Sequence, residues 1–445
     1  MTDAKFQQMT GSPVEKLIIQ MALPTITIML VSAMYNIADT YFVSFLGVNA
    51  TAALGVVFSL MAVLQAAGFF FGNGAGNYIA RSLGARNNSA ALKMAATGFF
   101  TALGFGLLIA LTGSVYLAPL ARLLGATETI LPYTVEYLRY ILLGAPFMVC
   151  AFMLNNCLRF QGNTFWSMVG MVSGAALNVA LDPLFIFVFR LGVSGAALAT
   201  MLSQLFSFVL LLWLACNVRH NVPIRPGEFT PGLRVYKEII RGGSPSLLRQ
   251  SLLSISTIFI NHAAGNFGDA AIAAISIVSR IIQIMGAALL GLGQGFQPVC
   301  GFNYGAGNYI RVKQAYGFCL RVSTILLTAL SFSCFVAAKP IILLFRIADP
   351  AVTDIGALTL RLQCLTFPLA GRIIIDNMFL QTIGKTLPAS LVAVSRQGLF
   401  LLPLLFVLTR WQGLRGLQLS IPAADICAFV LSVYLSGWAV KKYLK

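Results

Sequence analysis

Acidic residues are scarce in this chain: 13 Asp and Glu among 445 residues, against 30 Lys and Arg. Charge of either sign is thin, at 10% of residues, where a soluble domain carries roughly 25%. A chain that is 58% hydrophobic, with a mean hydropathy of +0.85, cannot hide so much apolar surface in water. That excludes a soluble protein and leaves a polytopic membrane protein. Histidine is nearly missing; His220 and His262 lie far apart and suggest no catalytic pair. No P-loop, serine-hydrolase elbow or zinc-protease motif occurs, so no nucleophile or metal set supports an intramembrane enzyme. The eight cysteines are scattered, most of them inside apolar runs, and read as small hydrophobes. Neither disulfides nor a metal cluster is expected. No cleavable leader is expected: "MTDAKFQQMTGSPVEKLIIQ" has no small-residue cleavage site after a short apolar core. The first hydrophobic segment is therefore expected to remain as a span.

What the chain does have is long apolar stretches, near 17–44, 51–79, 94–120, 132–157, 165–188, 193–216, 238–263, 270–298, 314–345, 355–380, 387–408 and 416–440. Each is long enough to cross a bilayer, so the expected fold is all-α with twelve transmembrane helices. The net charge of +17 belongs to topology rather than to nucleic acid. Seventeen Lys and Arg fall at the termini and in the gaps on their side, and six (Arg122, Arg190, Lys339, Arg346, Arg410 and Arg415) in the others. By the positive-inside rule both termini are cytoplasmic, in a multi-pass protein of the cell (inner) membrane.

The longest polar gap, "NVRHNVPIRPGEFTPGLRVYKEIIRGG", contains three prolines and divides the chain into two similar halves. The expected division is a first lobe over 1–216, a cytoplasmic linker over 217–237 and a second lobe over 238–445. At an offset of 221, "ALPTI" meets "GSPSL", with Pro24 over Pro245; "LGVNATAALGVV" meets "FGDAAIAAISIV"; and "LGAR" meets "YGAG". One residue later in register, Pro146 meets Pro368 and Gly162 meets Gly384; Gly192 and Gly195 meet Gly413 and Gly416 back at 221. Six spans per half make parallel repeats, a known transporter plan with the substrate site between the halves.

Four carboxylates fall well inside apolar segments: Asp39, Asp182, Asp376 and Asp425. A carboxylate at the bilayer centre costs about 2.5–3.5 kcal/mol on insertion scales, so each needs a reason. Tyr35 and Asn36 precede Asp39 by four and three residues, on one helical stripe, and Asn178 precedes Asp182 by one turn. Thr200 and Gln204 lie one turn apart in the sixth segment. Carboxylate, amide and hydroxyl oxygens suit a hard cation such as Na+, and a desolvated carboxylate also carries a proton. Asp425 stands over Gln204 in the repeat; Asp376, beside Asn377, has Leu154 or Asn155 in its place in the first half. Arg249, Arg280 and Arg396 also lie in or near spans, where arginine can snorkel. The glycines of "FGNGAGNYIARSLGARN" follow a membrane helix rather than a strand, so they read as close helix contacts and not as a nucleotide fingerprint.

Two six-helix halves, an early proline in the first helix, "YNIADTYFV", "ARSLGA", "NVALDPLFIF" and "GVSGAALAT" together resemble the multidrug and toxic compound extrusion (MATE) family over almost the whole chain. The resemblance implies two six-helix bundles related by a pseudo-two-fold repeat around a central cavity. It implies export of small-molecule cationic drugs or dyes in exchange for H+ or Na+, without a cofactor, by a monomer that binds no nucleic acid. The cation site it implies is Asp39, Asn178, Asp182 and Thr200, joined by a backbone carbonyl near Ala196. Pro24 is the position linked in that family to bending of the first helix. Pro24, Tyr35, Asn36, Asn155, Gln204 and Asp376 are the candidates for the substrate cavity and gating. The seventh segment, "SLLRQSLLSISTIFINHAA", lacks the acidic residue that some members pair with one in the tenth, so the first-lobe site is favoured. The competing reading is a flippase of lipid-linked intermediates, whose cavity would have to be strongly basic.

Overall fold

A computed structural model describes residues 3–218, 221–345 and 349–444. Arg219, Arg346 and Lys445, which enter the Lys and Arg count above, and His220 lie outside the described residues. The described chain is built of helices alone: α1 (Asp3–Gly11), α2 (Val14–Ser44), α3 (Val48–Gly84), α4 (Asn88–Val115), α5 (Leu117–Leu123), α6 (Leu131–Phe160), α7 (Thr164–Pro183), α8 (Gly192–Asn217), α9 (Leu233–Gly265), α10 (Asp269–Gly305), α11 (Tyr309–Val336), α12 (Ala338–Leu343), α13 (Pro350–Thr382), α14 (Thr386–Val394), α15 (Leu401–Gln412) and α16 (Leu414–Tyr443). A π-helical segment, Leu184–Val188, extends α7, and another, Ser395–Phe400, joins α14 to α15.

Among the described residues eleven helical spans are long and apolar enough to cross a membrane. The remaining long helix, α9, has 33 residues, and polar side chains that include Arg249, Gln250, Asn261 and His262 keep it out of that set. Each expected segment lies in a helix, with two corrections. The stretches 94–120 and 314–345 do not run through as single helices. They break at Tyr116 and Ala337, and the short helices α5 and α12 follow. Pro119 and Pro340, 221 residues apart, explain both breaks: neither donates a backbone hydrogen bond, and the ring crowds the preceding turn. The apolar pattern continues across each break, so hydropathy alone does not register it.

The chain forms two compact units: Met1–Ser12 with Leu23–Gly243, and Pro13–Ala22 with Ser244–Lys445. In the first unit α6 is the most enclosed span and packs on α3, α4 and α8. Small residues permit that approach. A Cβ on Gly76 would stand 2.0 Å from the Phe160 ring, and one on Gly72 would stand 2.7 Å from Asn156 Cβ. The glycine run of α3 is thus a packing surface. Arg159, counted above among the cytoplasmic-side charges, is buried: it donates to Asn73 and Asn156 Oδ1 (3.0 and 2.6 Å) and lies 4.3 Å over the Phe160 ring. In the second unit α13 takes the place of α6 and packs on α10, α11 and α16.

The repeat is written in the backbone. Gly47 and Gly268 have φ of 103° and 91°; Gly162 and Gly384, 76° and 77°; Gly192 and Gly413, 57° and 59°. These left-handed turns end or start equivalent helices and favour glycine. Arg86 (φ 57°) matches Gly307 (φ 76°), so one half tolerates a side chain there. Asn155 Nδ2 donates to the Ser167 carbonyl at 3.3 Å and to its Oγ at 2.7 Å, while Asn377 Nδ2 donates to the Ala389 carbonyl at 2.7 Å. Each asparagine pins its helix to the one following, at an offset of 222. Asn155 is therefore the partner of Asn377, and Leu154 stands opposite Asp376.

Candidate functional site

In the first unit, α2, α6, α7 and α8 bring a polar group into an apolar interior. Asp39, Asn178, Asp182 and Thr200 are all 0–1% exposed. The Asn178 amide lies 3.4 Å from Asp182 Oδ1 and 3.3 Å from Thr200 Oγ1. With its ends exchanged, its NH2 donates to Asp182 Oδ2 (3.3 Å) and its oxygen accepts from the Thr200 backbone N–H (3.3 Å), which satisfies both ends. In a regular helix that N–H serves the carbonyl of Ala196, itself fully buried, so sharing it loosens the hold on that oxygen.

Asp39 differs from every other buried carboxylate in the chain. Neither of its oxygens has a hydrogen-bond partner among the described residues. A desolvated carboxylate left unpaired is expensive, which sets Asp39 apart from Asp182, Asp376 and Asp425. Its surroundings are polar: Tyr35 and Tyr137 lie within electrostatic reach of both Asp39 and Asp182, and Tyr137 stands beside Thr200. Both tyrosine hydroxyls and Gln204 Oε1 are buried with no hydrogen-bond partner among the described residues. Asp39 and Asp182 lie within electrostatic reach of each other, with an amide and hydroxyls beside them, oxygens of the kind that suit a proton or a hard monovalent cation.

Of the sequence candidates, the structure gathers Asp39, Asn178, Asp182, Thr200, Ala196 and Tyr35. Asn36 is exposed and stands apart from them. Asn155 is occupied in pinning α6 to α7, and Pro24 lies inside α2, fifteen residues before Asp39. Tyr137 was not singled out in the sequence: a tyrosine near the start of an apolar span has no distinguishing spacing. Pro183 has local consequences next to Asp182. It cannot donate to the Val179 carbonyl, and the helix continues as the π segment Leu184–Val188.

The second unit treats its carboxylates differently. Asp376 accepts from the Tyr316 hydroxyl and from Ser436 Oγ (3.1 Å), with Arg372 Nε at 3.6 Å. Asp425 is held by Arg396 at 2.6 and 3.4 Å and by Thr366 Oγ1 at 3.2 Å. Both are compensated. The positions matching Asp39 and Thr200 are Ile260 and Ile421, so the repeat copies the frame without the acidic cluster. This unit instead contains a cavity of about 370 Å³ with Arg249, Arg280, Arg396 and Asp425 in its wall. The sequence marked those arginines only as groups in or near spans.

Residues 24–184 and 245–407 match the MatE family. The "multidrug export protein MepA" of Staphylococcus haemolyticus (strain JCSC1435) is 29% identical over 432 residues, covering 97% of this chain and 95% of that protein. A solved structure described as the "outward-facing conformation of a multidrug resistance MATE family transporter of the MOP superfamily" is similar, with a TM-score of 0.92 and 26% identity over 98% of this chain and 97% of that one. A MOP superfamily transporter from Pyrococcus furiosus, whose reversed binding-pocket polarity is said to suggest a different function, has a TM-score of 0.93 at 26% identity over 100% of both chains. The family match spans both halves, and the chain belongs to the MatE family, the multidrug and toxic compound extrusion transporters.

Proposed function

We propose that this protein exports lipophilic organic cations from the cell in exchange for H+ or Na+, by alternating access, as a monomer of the cell (inner) membrane with both termini cytoplasmic. The observation that carries the reading is Asp39: a fully buried carboxylate with both oxygens unpartnered among the described residues, beside Asp182, Asn178 and Thr200. The multidrug export relatives support drugs or dyes as cargo. Two carboxylates in a low-dielectric site do not both stay ionised without a counter-charge, so the cluster is suited to take up a small cation or proton and to trade it for a larger organic cation. The acidic character of the cluster favours export of cations over a flippase of lipid-linked anionic intermediates.

The test is exchange by purified protein in liposomes. An imposed inward H+ or Na+ gradient should drive ethidium movement in the opposite direction, and collapsing the gradient should stop it. Ethidium movement indifferent to both gradients would end the coupling proposal.

Pro24 is the proposed bending point of α2. Its missing N–H leaves the Gln20 carbonyl without its helical donor, and the boundary between the two compact units falls between Ala22 and Leu23. Pro24→Ala restores the bond and stiffens the helix. The variant should reach near-normal expression and export ethidium several-fold more slowly. Wild-type export by a well-expressed Pro24→Ala protein would rule out bending at this point.

A further inference from the structure

The cavity of the second unit has a wall chemistry opposite to that of the acidic cluster, and export of cations makes no use of it. Its volume of about 370 Å³ falls within the range of small-molecule sites, about 300–1,000 Å³. Of its four charged side chains, Arg396 and Asp425 neutralise each other through the paired contact at 2.6 and 3.4 Å. Arg249 gives one N–H to Asn377 Oδ1 at 3.1 Å, and no carboxylate among the described residues pairs with it. Arg280 has neither a hydrogen-bond nor an ion-pair partner among the described residues. Two guanidinium charges therefore stay uncompensated. Neither is at a helix end: Arg280 is eleven residues into α10 and Arg249 sixteen residues into α9. At about 1.5 Å per residue, each lies roughly 16 Å or more from the start of its helix. Charges at such depth mark a ligand path or a counter-ion rather than chance.

The frame of the fold does not require them. The repeat positions of Arg249 and Arg280, 221 residues earlier, are Ile28 and Ser59. The rest of the wall is mixed: the amides of Gln250, Gln283 and Gln397 can donate to oxygen, while Leu253, Leu290 and Ile374 present apolar surface. An inorganic anion would leave that apolar surface wet, and an organic cation would meet a net positive wall.

We propose that this cavity binds an amphiphilic organic anion, its phosphate or carboxylate group between Arg249 and Arg280 and its apolar body against Leu253, Leu290 and Ile374. Arginine suits this role because its planar fork gives paired donors to either oxyanion.

The test uses the full chain in phosphatidylcholine nanodiscs, with isothermal titration of dodecyl phosphate, laurate, dodecyltrimethylammonium and inorganic phosphate. Both dodecyl anions should bind, and the other two should fail to displace them at equal concentration. Losing one charge-assisted contact weakens binding by roughly tenfold or more, so Arg249→Gln and Arg280→Gln should each raise the Kd for dodecyl phosphate by about that factor. Arg280 is exposed, and its replacement should leave the protein monodisperse. Asp425→Asn releases Arg396 and should lower the same Kd, a change in the direction opposite to damage. Doping the discs with phosphatidic acid separates the sources of the anion: blocked dodecyl phosphate binding assigns the site to a membrane lipid, and unchanged binding to a soluble amphiphile. Wild-type affinity in both arginine variants would overturn the proposal. So would displacement by dodecyltrimethylammonium or by inorganic phosphate as strong as by laurate.

Discussion

Replacing Asp182 by asparagine is expected to abolish cation-driven exchange while leaving an inserted, folded protein. The side chain keeps its volume and its hydrogen-bonding reach to Asn178, so packing between α7 and α8 should survive. What disappears is one of two negative charges at a desolvated point. A single remaining carboxylate at Asp39 can be neutralised permanently by one proton, and nothing then ties the release of that proton to the entry of an organic cation. Gradient-driven ethidium exchange in liposomes should fall to the level of protein-free vesicles for Asp182→Asn and for Asp39→Asn. Asn178→Ala removes an orienting amide rather than a charge and should weaken cation dependence by roughly tenfold. Should Asp182→Asn exchange at the wild-type rate, its carboxylate would be interhelical packing and the acidic cluster would not be the coupling site.

The second large effect concerns stability. Arg396→Met should destabilise the protein much more than Asp425→Asn, although both break the same pair. Both residues line the cavity of the second unit, but Asp425 is 2% exposed with Thr366 as its remaining partner, whereas the Arg396 side chain is 19% exposed. Deprived of arginine, the carboxylate has little access to water; deprived of the carboxylate, the guanidinium has more. Removing one member of a buried pair costs about 3–5 kcal/mol when the other is stranded. Thermal unfolding in detergent should show a clear drop for Arg396→Met, a small one for Asp425→Asn, and recovery in Arg396→Met combined with Asp425→Leu. Equal losses for the two single variants would contradict the asymmetry.

Much of this was legible from one dimension. Length and apolarity located the spans because a bilayer allows little else, and the glycines and prolines carried the repeat because turns and helix breaks constrain them most. Asp39, Asn178, Asp182 and Thr200 stood out because polar atoms in a span need a reason. The breaks before Pro119 and Pro340 did not stand out, since hydropathy is blind to backbone donors. Asn36, three residues before Asp39, stands at an interval that predicts a common stripe, yet it turns outward and is exposed. Tyr137 and the three cavity arginines were illegible for a different reason. Their meaning lies in neighbours from other helices, and an arginine in an apolar run looks the same whether it reaches for headgroups or for a cavity.

The π segment after Asp182 leaves this span with a residue to spare. A π turn holds one residue more than the α turn it replaces, with hydrogen bonds reaching five residues back, as from Phe189 N–H to the Leu184 carbonyl at 3.0 Å. Deleting one residue from a membrane helix ordinarily rotates everything beyond it by about 100°, turning lipid-facing side chains inward. Within Leu184–Val188 the same deletion removes the surplus and returns the segment to a regular helix. Insertions and deletions are therefore tolerated unevenly along this chain, and the place in the first unit where its length can change most gently adjoins the aspartate whose chemistry can change least.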